Sequence, residues 1–257
     1  MLEKNEQRRR LLDSKRSLIC RGAMKVLKKK KFHAASMGEI AEATGMSRGN
    51  FYHYIEKKED ILVLIYKELA NQIWRRMHAV LQENEHPIDQ LSHVIRTLFD
   101  LACREKEEVL VILTEAKSLD RKHLQELLRH ESEIVDAIEE IIKRGISRGF
   151  FQCAKPHLLA DMIAYLIWIV PLRGWNILQR HSEKDVVDQT IACCLRELGV
   201  SKKAISKSSM NMQRSGGNSN NMKKKGGNKN DSNSARFIET KQRNVSGQSR
   251  PDRPRKW

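Results

Sequence analysis

The residues of this chain best placed to do chemistry lie between Ser36 and Lys58, and that chemistry is nucleic-acid recognition rather than bond-making. The segment reads Ser-Met-Gly-Glu-Ile-Ala-Glu-Ala-Thr-Gly-Met-Ser-Arg-Gly-Asn-Phe-Tyr-His-Tyr-Ile-Glu-Lys-Lys. Ser36 precedes an apolar-periodic run and Glu39 follows three residues later, a capping box that starts a short helix. Gly45 ends it where a left-handed backbone suits glycine, and Ser47 caps a second helix. Ile40, Met46, Phe51 and Tyr54 then share a core, with Ala41 small where the helices approach. Outward on the second helix stand Ser47, Arg48, Gly49, Asn50, Tyr52 and His53. Arg48 suits guanine O6 and N7 or a phosphate, and Asn50 suits adenine. Tyr52 and His53 suit phosphate oxygens, which set register without reading sequence. Lys58, and Ser36 at the start of the first helix, complete the expected DNA-contact set. Any one of these side chains is equally at home on a solvated helix; their joint spacing is what predicts a helix lying in a DNA groove.

The elements that must hold this pair are helical. Up to Gly199 no segment alternates convincingly with period two. Helices are predicted near 14–30, 36–44, 47–54, 58–82, 87–103, 106–117, 157–179 and 184–198. Another follows a stripe of Leu124, Leu127, Leu128, Ile134, Val135, Ile138, Ile141 and Ile142, with Gly145 and Gly149 as stops. Pro87 and Pro156 sit where proline starts helices. The fold class is all-α: a helix-turn-helix DNA-binding domain, a helical-bundle ligand-binding and dimerisation domain, and a disordered tail. The expected boundaries are an arm at 1–13, the reader at 14–60, the body at 61–200 and a basic tail at 201–257.

Residues 14–62 resemble the N-terminal domain of the TetR family of bacterial transcriptional repressors. Ile40-Ala41, Gly45-Met46-Ser47, Gly49 to Tyr54 and Lys58-Glu59-Asp60-Ile61-Leu62 bear the likeness. Ile19, Ala23, Val26 and Leu27 give the first helix one apolar face, and Phe32 falls where the family closes it. Two positions depart from the pattern. Ile55 replaces a usual phenylalanine, and Lys57 replaces a serine that would cap the fourth helix, trading a cap for a cation near the backbone. The resemblance implies a homodimer on a palindromic double-stranded operator, released by a small-molecule effector, in a bacterial, nucleoid-associated setting. Val111 to Leu119 and Arg144 to Phe150 are similar to members that sense acyl-CoA thioesters or other lipid-derived ligands; a more general hydrophobic effector is the competing expectation.

For that effector the expected pocket residues are Phe99, Leu113, Ile138, Ile142, Trp168, Arg173 and Trp175, with Leu98, Ile112 and Glu115 as further candidates. A plain core accounts equally for the aliphatic ones. Leu158 to Val170 is apolar nearly all round, which a monomer's surface helix does not tolerate. The expected dimer surface is therefore Leu166, Ile169 and Val170 with Ile191, Leu195 and Leu198. A symmetric dimer would set two readers about one DNA turn apart.

Charge sharpens this division. The net charge is +16, and it is unevenly spread: 15 Lys and Arg against 8 Asp and Glu in residues 1–60, 18 against 21 in 61–200, and 15 against 3 in 201–257. A basic head and tail flanking an acidic body suit a polyanion binder. The tail is rich in Ser, Asn, Gly, Lys and Arg, too poor in apolar residues to fold. It serves either solubility or non-specific phosphate attraction. If the tail dominated, the protein would instead coat nucleic acid without sequence preference.

Enzyme chemistry is not indicated: there is no HExxH, P-loop, Gly-rich dinucleotide turn or nucleophile elbow. His86, His93, His123, His130, His157 and His181 are scattered, so neither cofactor nor metal is expected. The five cysteines show no metal-ligand spacing and fit a reducing cytoplasm. Met162–Leu172 is apolar for 11 residues, short of the roughly 20 a membrane span needs, so no membrane partner is expected.

Overall fold

The structure, a computed structural model, describes residues 2–81 and 86–206. Among them there are helices and no strands. In order they are α1 (Leu2–Leu27), a 3-10 turn (Phe32–Ala34), α2 (Met37–Thr44), α3 (Arg48–Tyr54), α4 (Glu59–Val80), α5 (Pro87–Arg104), α6 (Lys106–Glu115), a second 3-10 turn (Ala116–Ser118), α7 (Arg121–Ser147), α8 (Pro156–Ile167), α9 (Ile169–Ile177) and α10 (Glu183–Glu197).

Local signals fix most boundaries. The Ser36 hydroxyl accepts the Glu39 amide (3.2 Å) while Glu39 accepts the Ser36 amide (2.9 Å), closing the predicted capping box. Gly45 ends α2 at φ 69°, in the left-handed region. Ser182 and Asp185 repeat the box at α10. Pro87 and Pro156 each occupy the first turn of their helices. Three details differ from expectation. The segment 1–13 is not set apart: α1 is continuous from Leu2. Gly145 does not stop α7, which runs on to Ser147; its missing side chain instead seats Phe151, whose ring a Cβ there would meet at 1.9 Å. The apolar run predicted as one helix over 157–179 breaks at Trp168 into α8 and α9, bent by 51°. Pro171 explains the break, because its ring would clash with the carbonyl of Ile167 in a continuous helix and it offers no amide.

Two cores result. In the head, Ile19, Ala23, Ile40, Phe51 and Ile55 are fully buried, joined by Phe32 and by Ile61, Leu62 and Ile65 of α4. Ile55 thus fills the place of the larger aromatic without leaving the interior. In the body, α5 is central: Leu91, Val94, Ile95, Leu98 and Leu101 are buried against α4, α7, α8 and α10. Each such side chain contributes about 1.5–3 kcal/mol by leaving water. One helix belongs to both cores, since α4 gives Ile61 to Tyr66 to the head and Leu69, Ile73 and Met77 to the body.

Among the described residues no single helix is long and apolar enough to cross a membrane; α8 and α9 reach that length only as a bent pair. Residues 202–206 add a helical turn whose Ala204 and Ile205 pack on the body core. The rest of the expected tail, 207–257, lies outside the described residues.

Candidate nucleic-acid interface and ligand cavity

The head is assembled by a close crossing of α1 and α2. A Cβ on Gly22 would stand 2.6 Å from Thr44 Cγ2 and 2.8 Å from its Cα and N. Thr44, itself buried, donates its hydroxyl to the Ala41 carbonyl (2.6 Å) and accepts the Met46 amide (3.1 Å), so it shapes the turn into α3. The sequence points to Ala41 as the close approach, and Ala41 is buried; Gly22 is a tighter contact that no apolar pattern marks. The available signal was a glycine inside a helix, which costs about 1 kcal/mol against alanine and so calls for a packing reason.

Phe51 is the fully buried anchor of α3, and anchoring that residue turns the others outward. Ser47, Arg48, Gly49, Asn50, Tyr52 and His53 are all exposed. Ser47 also caps the helix, accepting the Asn50 amide at 3.4 Å. The Tyr52 ring stands edge-on to Phe51 with centroids 5.5 Å apart, which steadies its phenol at the surface. Nothing lies within 4 Å of where a Gly49 Cβ would be, so α3 presents a low, open surface there. Met46 and Tyr54 are half-buried against the same core.

The neighbouring polar groups are more engaged than the sequence indicates. The Ser36 hydroxyl is taken up by the capping box. Lys58 donates to the His33 carbonyl (3.0 Å) and lies over the Phe32 ring at 4.7 Å, so it braces the 3-10 turn. Lys57 reaches from the head to the body, donating to Asp120 Oδ2 at 2.9 Å. Asp120 caps α7 by accepting the His123 amide (2.9 Å); that bond, then the one from Lys57, holds its carboxyl far below the usual carboxylate range. Lys57 rises in turn through its bond to Asp120. The serine cap lost at Lys57 has a substitute: Asp60 accepts the amides of Glu56 (3.0 Å) and Lys57 (2.9 Å) from inside the first turn of α4. A hydrogen bond from Lys30, then the amide and hydroxyl of Ser36, lower Glu39 to about 2.

In the body a cavity of about 440 Å³ opens among α4, α5, α6, α7, α8 and α9. Leu69, Ile73, Leu98, Leu101, Leu113 and Ile167 give it an apolar wall; Trp168 and Tyr165 flank it, and Glu131, His157 and Asp161 bring polar groups to its lining. Of the residues expected in a pocket, Leu98, Leu113 and Trp168 line this cavity. Phe99, Ile138 and Ile142 do not: they are buried at 2%, 0% and 0% exposure in the solid core behind it. Arg173 and Trp175 stack on one another on the outside of α9, the guanidinium 5.4 Å from the ring centroid, with Trp175 69% exposed.

The expected dimer surface is likewise redistributed. Val170 of α9, Ile191 and Leu195 of α10 and Leu198 just after it are buried inside the single chain, where α10 packs on α5 and the body core. Leu166 and Ile169 are half-buried against that core. The outward apolar groups are Leu158, Met162 and Tyr165 on α8, spaced along one face, with Trp175 and Leu178 near the end of α9.

A short helix anchored by one buried aromatic and bare of apolar side chains on its outer face, set in a three-helix head, is the architecture of a helix-turn-helix DNA-binding protein. The comparisons with known proteins agree. Residues 19–65 match the family described as bacterial regulatory proteins, tetR family, and residues 84–170 match the tetracyclin repressor-like C-terminal domain. Together these span just over half of the chain, which belongs to the tetR family of bacterial transcriptional regulators. The fatty acid metabolism regulator protein of Bacillus subtilis (strain 168) is 28% identical over 134 residues, 51% of this chain and 68% of its own. A regulatory protein of the tetR family from Rhodococcus RHA1 superposes with a TM-score of 0.67 at 20% identity, over 73% of this chain and 98% of its own. AibR, solved with isovaleryl coenzyme A and operator DNA, gives 0.60 at 21% identity, over 70% and 97%.

Proposed function

We propose that this protein is a homodimeric repressor whose two α3 helices bind a roughly palindromic operator and which a small apolar or acyl-CoA-like effector releases. One observation supports this above others: α4 packs in the head core through Ile61, Leu62 and Ile65 and lines the cavity through Leu69 and Ile73. A ligand filling the cavity touches the same rigid rod that holds the reader. Ligand then favours a tilt of α4 at which the two heads no longer match the operator spacing, a population shift set by its differential affinity for the two states.

The reader is assigned to residues 14–60 and the sensor to 61–200. Within the reader, Arg48 reads a base edge, Asn50 a second, and Tyr52 and His53 hold phosphates. The exposed Leu158, Met162, Tyr165 and Trp175 supply the twofold contact in place of the buried residues of α10. The relatives named above lend support to the effector class: one is a fatty acid metabolism regulator, and AibR was solved with an acyl coenzyme A. No Lys or Arg lines the cavity, so the acyl chain enters it and a charged headgroup remains outside. The test is fluorescence anisotropy on a protected promoter fragment, titrated with acyl-CoA thioesters of increasing chain length and with free coenzyme A. Release by thioesters and not by coenzyme A is the expected result; release by none of them would refute the effector assignment while leaving DNA binding intact. The rival reading, sequence-independent coating by the basic tail, is tested by cutting after Ser206. A repressor keeps its sequence preference and loses affinity, whereas a coating protein loses nearly all binding.

A further inference from the structure

We infer that Asp136, Glu139 and His157 form a binding site for a divalent transition-metal ion that ties α7 to α8 beside the cavity. Asp136 and Glu139 stand three residues apart on one face of α7, and His157 is the second residue of α8. One ligand atom from each lies within 4.8 Å of the other two. An ion held about 2.0–2.2 Å from each needs such atoms roughly 3–4 Å apart, within reach of small side-chain rotations.

The flanking groups point the same way. His157 presents Nδ1 to Glu139 Oε2 at 3.5 Å and Nε2 to Asp161 Oδ2 at 3.7 Å. A metal-ligating histidine commonly gives its other ring nitrogen to a carboxylate, which fixes the tautomer and raises ligand basicity. Asp161, one turn along α8, is placed to do that, leaving the Nδ1 lone pair on the Glu139 side. Glu139 is oriented comparably: Lys143 bonds its Oε1 at 3.0 Å and leaves Oε2 on the histidine side. Of these five side chains, three are carboxylates and one is an ammonium, so with neutral His157 the group has two negative charges. A divalent cation neutralises them.

One imidazole and two carboxylates, with room for water, suit zinc or manganese rather than a closed structural site. His157 and Asp161 also line the cavity, so a bound ion would fix the α7–α8 wall beside it. Eighteen positions separate Glu139 from His157, which is why spacing along the sequence does not reveal the group.

The test is calorimetric titration of chelator-treated, full-length protein with zinc chloride and with manganese chloride, alongside thermal melting. One equivalent should bind, with zinc tighter than manganese, and the melting temperature should rise. His157→Ala and Asp136→Asn should each weaken binding at least tenfold and abolish that rise. Asp161→Asn should weaken binding less, because it acts through the histidine. His157 and Asp136 are exposed, so these variants fold; an unshifted metal-free melting curve checks that. His181→Ala serves as the control and should bind as wild type. Absence of binding by either metal would overturn the proposal. So would binding that His157→Ala and Asp136→Asn leave unchanged, since the ion would then sit elsewhere and His157 would act only as an imidazolium among carboxylates.

Discussion

Replacing Gly22 with alanine probes how the reader is held. The added methyl lands 2.8 Å from the Cα and N of Thr44, backbone atoms that cannot rotate away. Restoring ordinary contact at 3.4 Å means parting α1 and α2 by at least about 0.6 Å. Overpacking a closed core costs roughly 1–3 kcal/mol, and the better helix propensity of alanine returns up to ~1 kcal/mol. Taking that return in full leaves the head about 0–2 kcal/mol less stable, and DNA affinity should fall because α2 and the turn set by Thr44 move together. Urea denaturation and operator anisotropy measure the two effects. Gly49→Ala is the counterpart: its methyl enters open space, so stability should be equal or slightly higher while affinity drops if, as proposed, this surface meets DNA. A Gly22→Ala protein more stable than wild type by the ~1 kcal/mol that alanine's helix propensity alone supplies would refute the close crossing.

Other perturbations separate the remaining claims. Glu39 is held at about 2 against an ordinary 4.5. Its folded value lies below its unfolded one, so its stabilisation is complete above about pH 4.5 and is lost as pH falls towards 2. Glu39→Gln should flatten the acid limb of a pH-dependent melt in that window, and an unchanged limb would show that the hydrogen bonds from Lys30 and then Ser36 do not lower Glu39. Asp120→Asn should free Lys57 from the body, strengthen DNA binding and steepen its salt dependence by up to one phosphate contact; unchanged affinity and slope would show that Lys57 does not face the backbone. Burial pushes the thiols of Cys20, Cys103 and Cys194 from 9.0 up to about 12. Exposed Cys193 should thus be alkylated before Cys20 and Cys194 at neutral pH, as peptide mass mapping over time would record, and equal rates would contradict their burial.

What the sequence disclosed was local, and what it concealed was tertiary. The capping box at Ser36, the left-handed Gly45 and the Ser47 cap are signals within four residues of their effect, and each stands as read. Phe51 faced inward by helical period alone, which exposed Arg48, Asn50, Tyr52 and His53. Gly22 gave no such cue, because its partner Thr44 lies 22 positions away. An apolar stripe does not say whether its far side meets solid core or a cavity. Phe99, Ile138 and Ile142 are accordingly core, while their neighbours Leu98 and Val135 line the cavity. Nor does an apolar stripe say which face is outward: Ile191, Leu195 and Leu198 at α10 turn in, while Met162 and Tyr165 on α8 turn out. Lys57 and Lys58 read as free cations since Asp120 and the His33 carbonyl are remote in sequence.

The proposed function requires α3 to read an operator, two copies at a time. Footprinting of purified protein on the promoter region it protects tests this most directly, with Arg48→Ala and Tyr52→Ala in parallel. Two protected half-sites centred about one helical turn apart are expected. Tyr52→Ala should weaken binding to all sequences alike, and Arg48→Ala should relax preference at one base pair of each half-site. A single protected half-site, or wild-type discrimination and affinity in both variants, would contradict it.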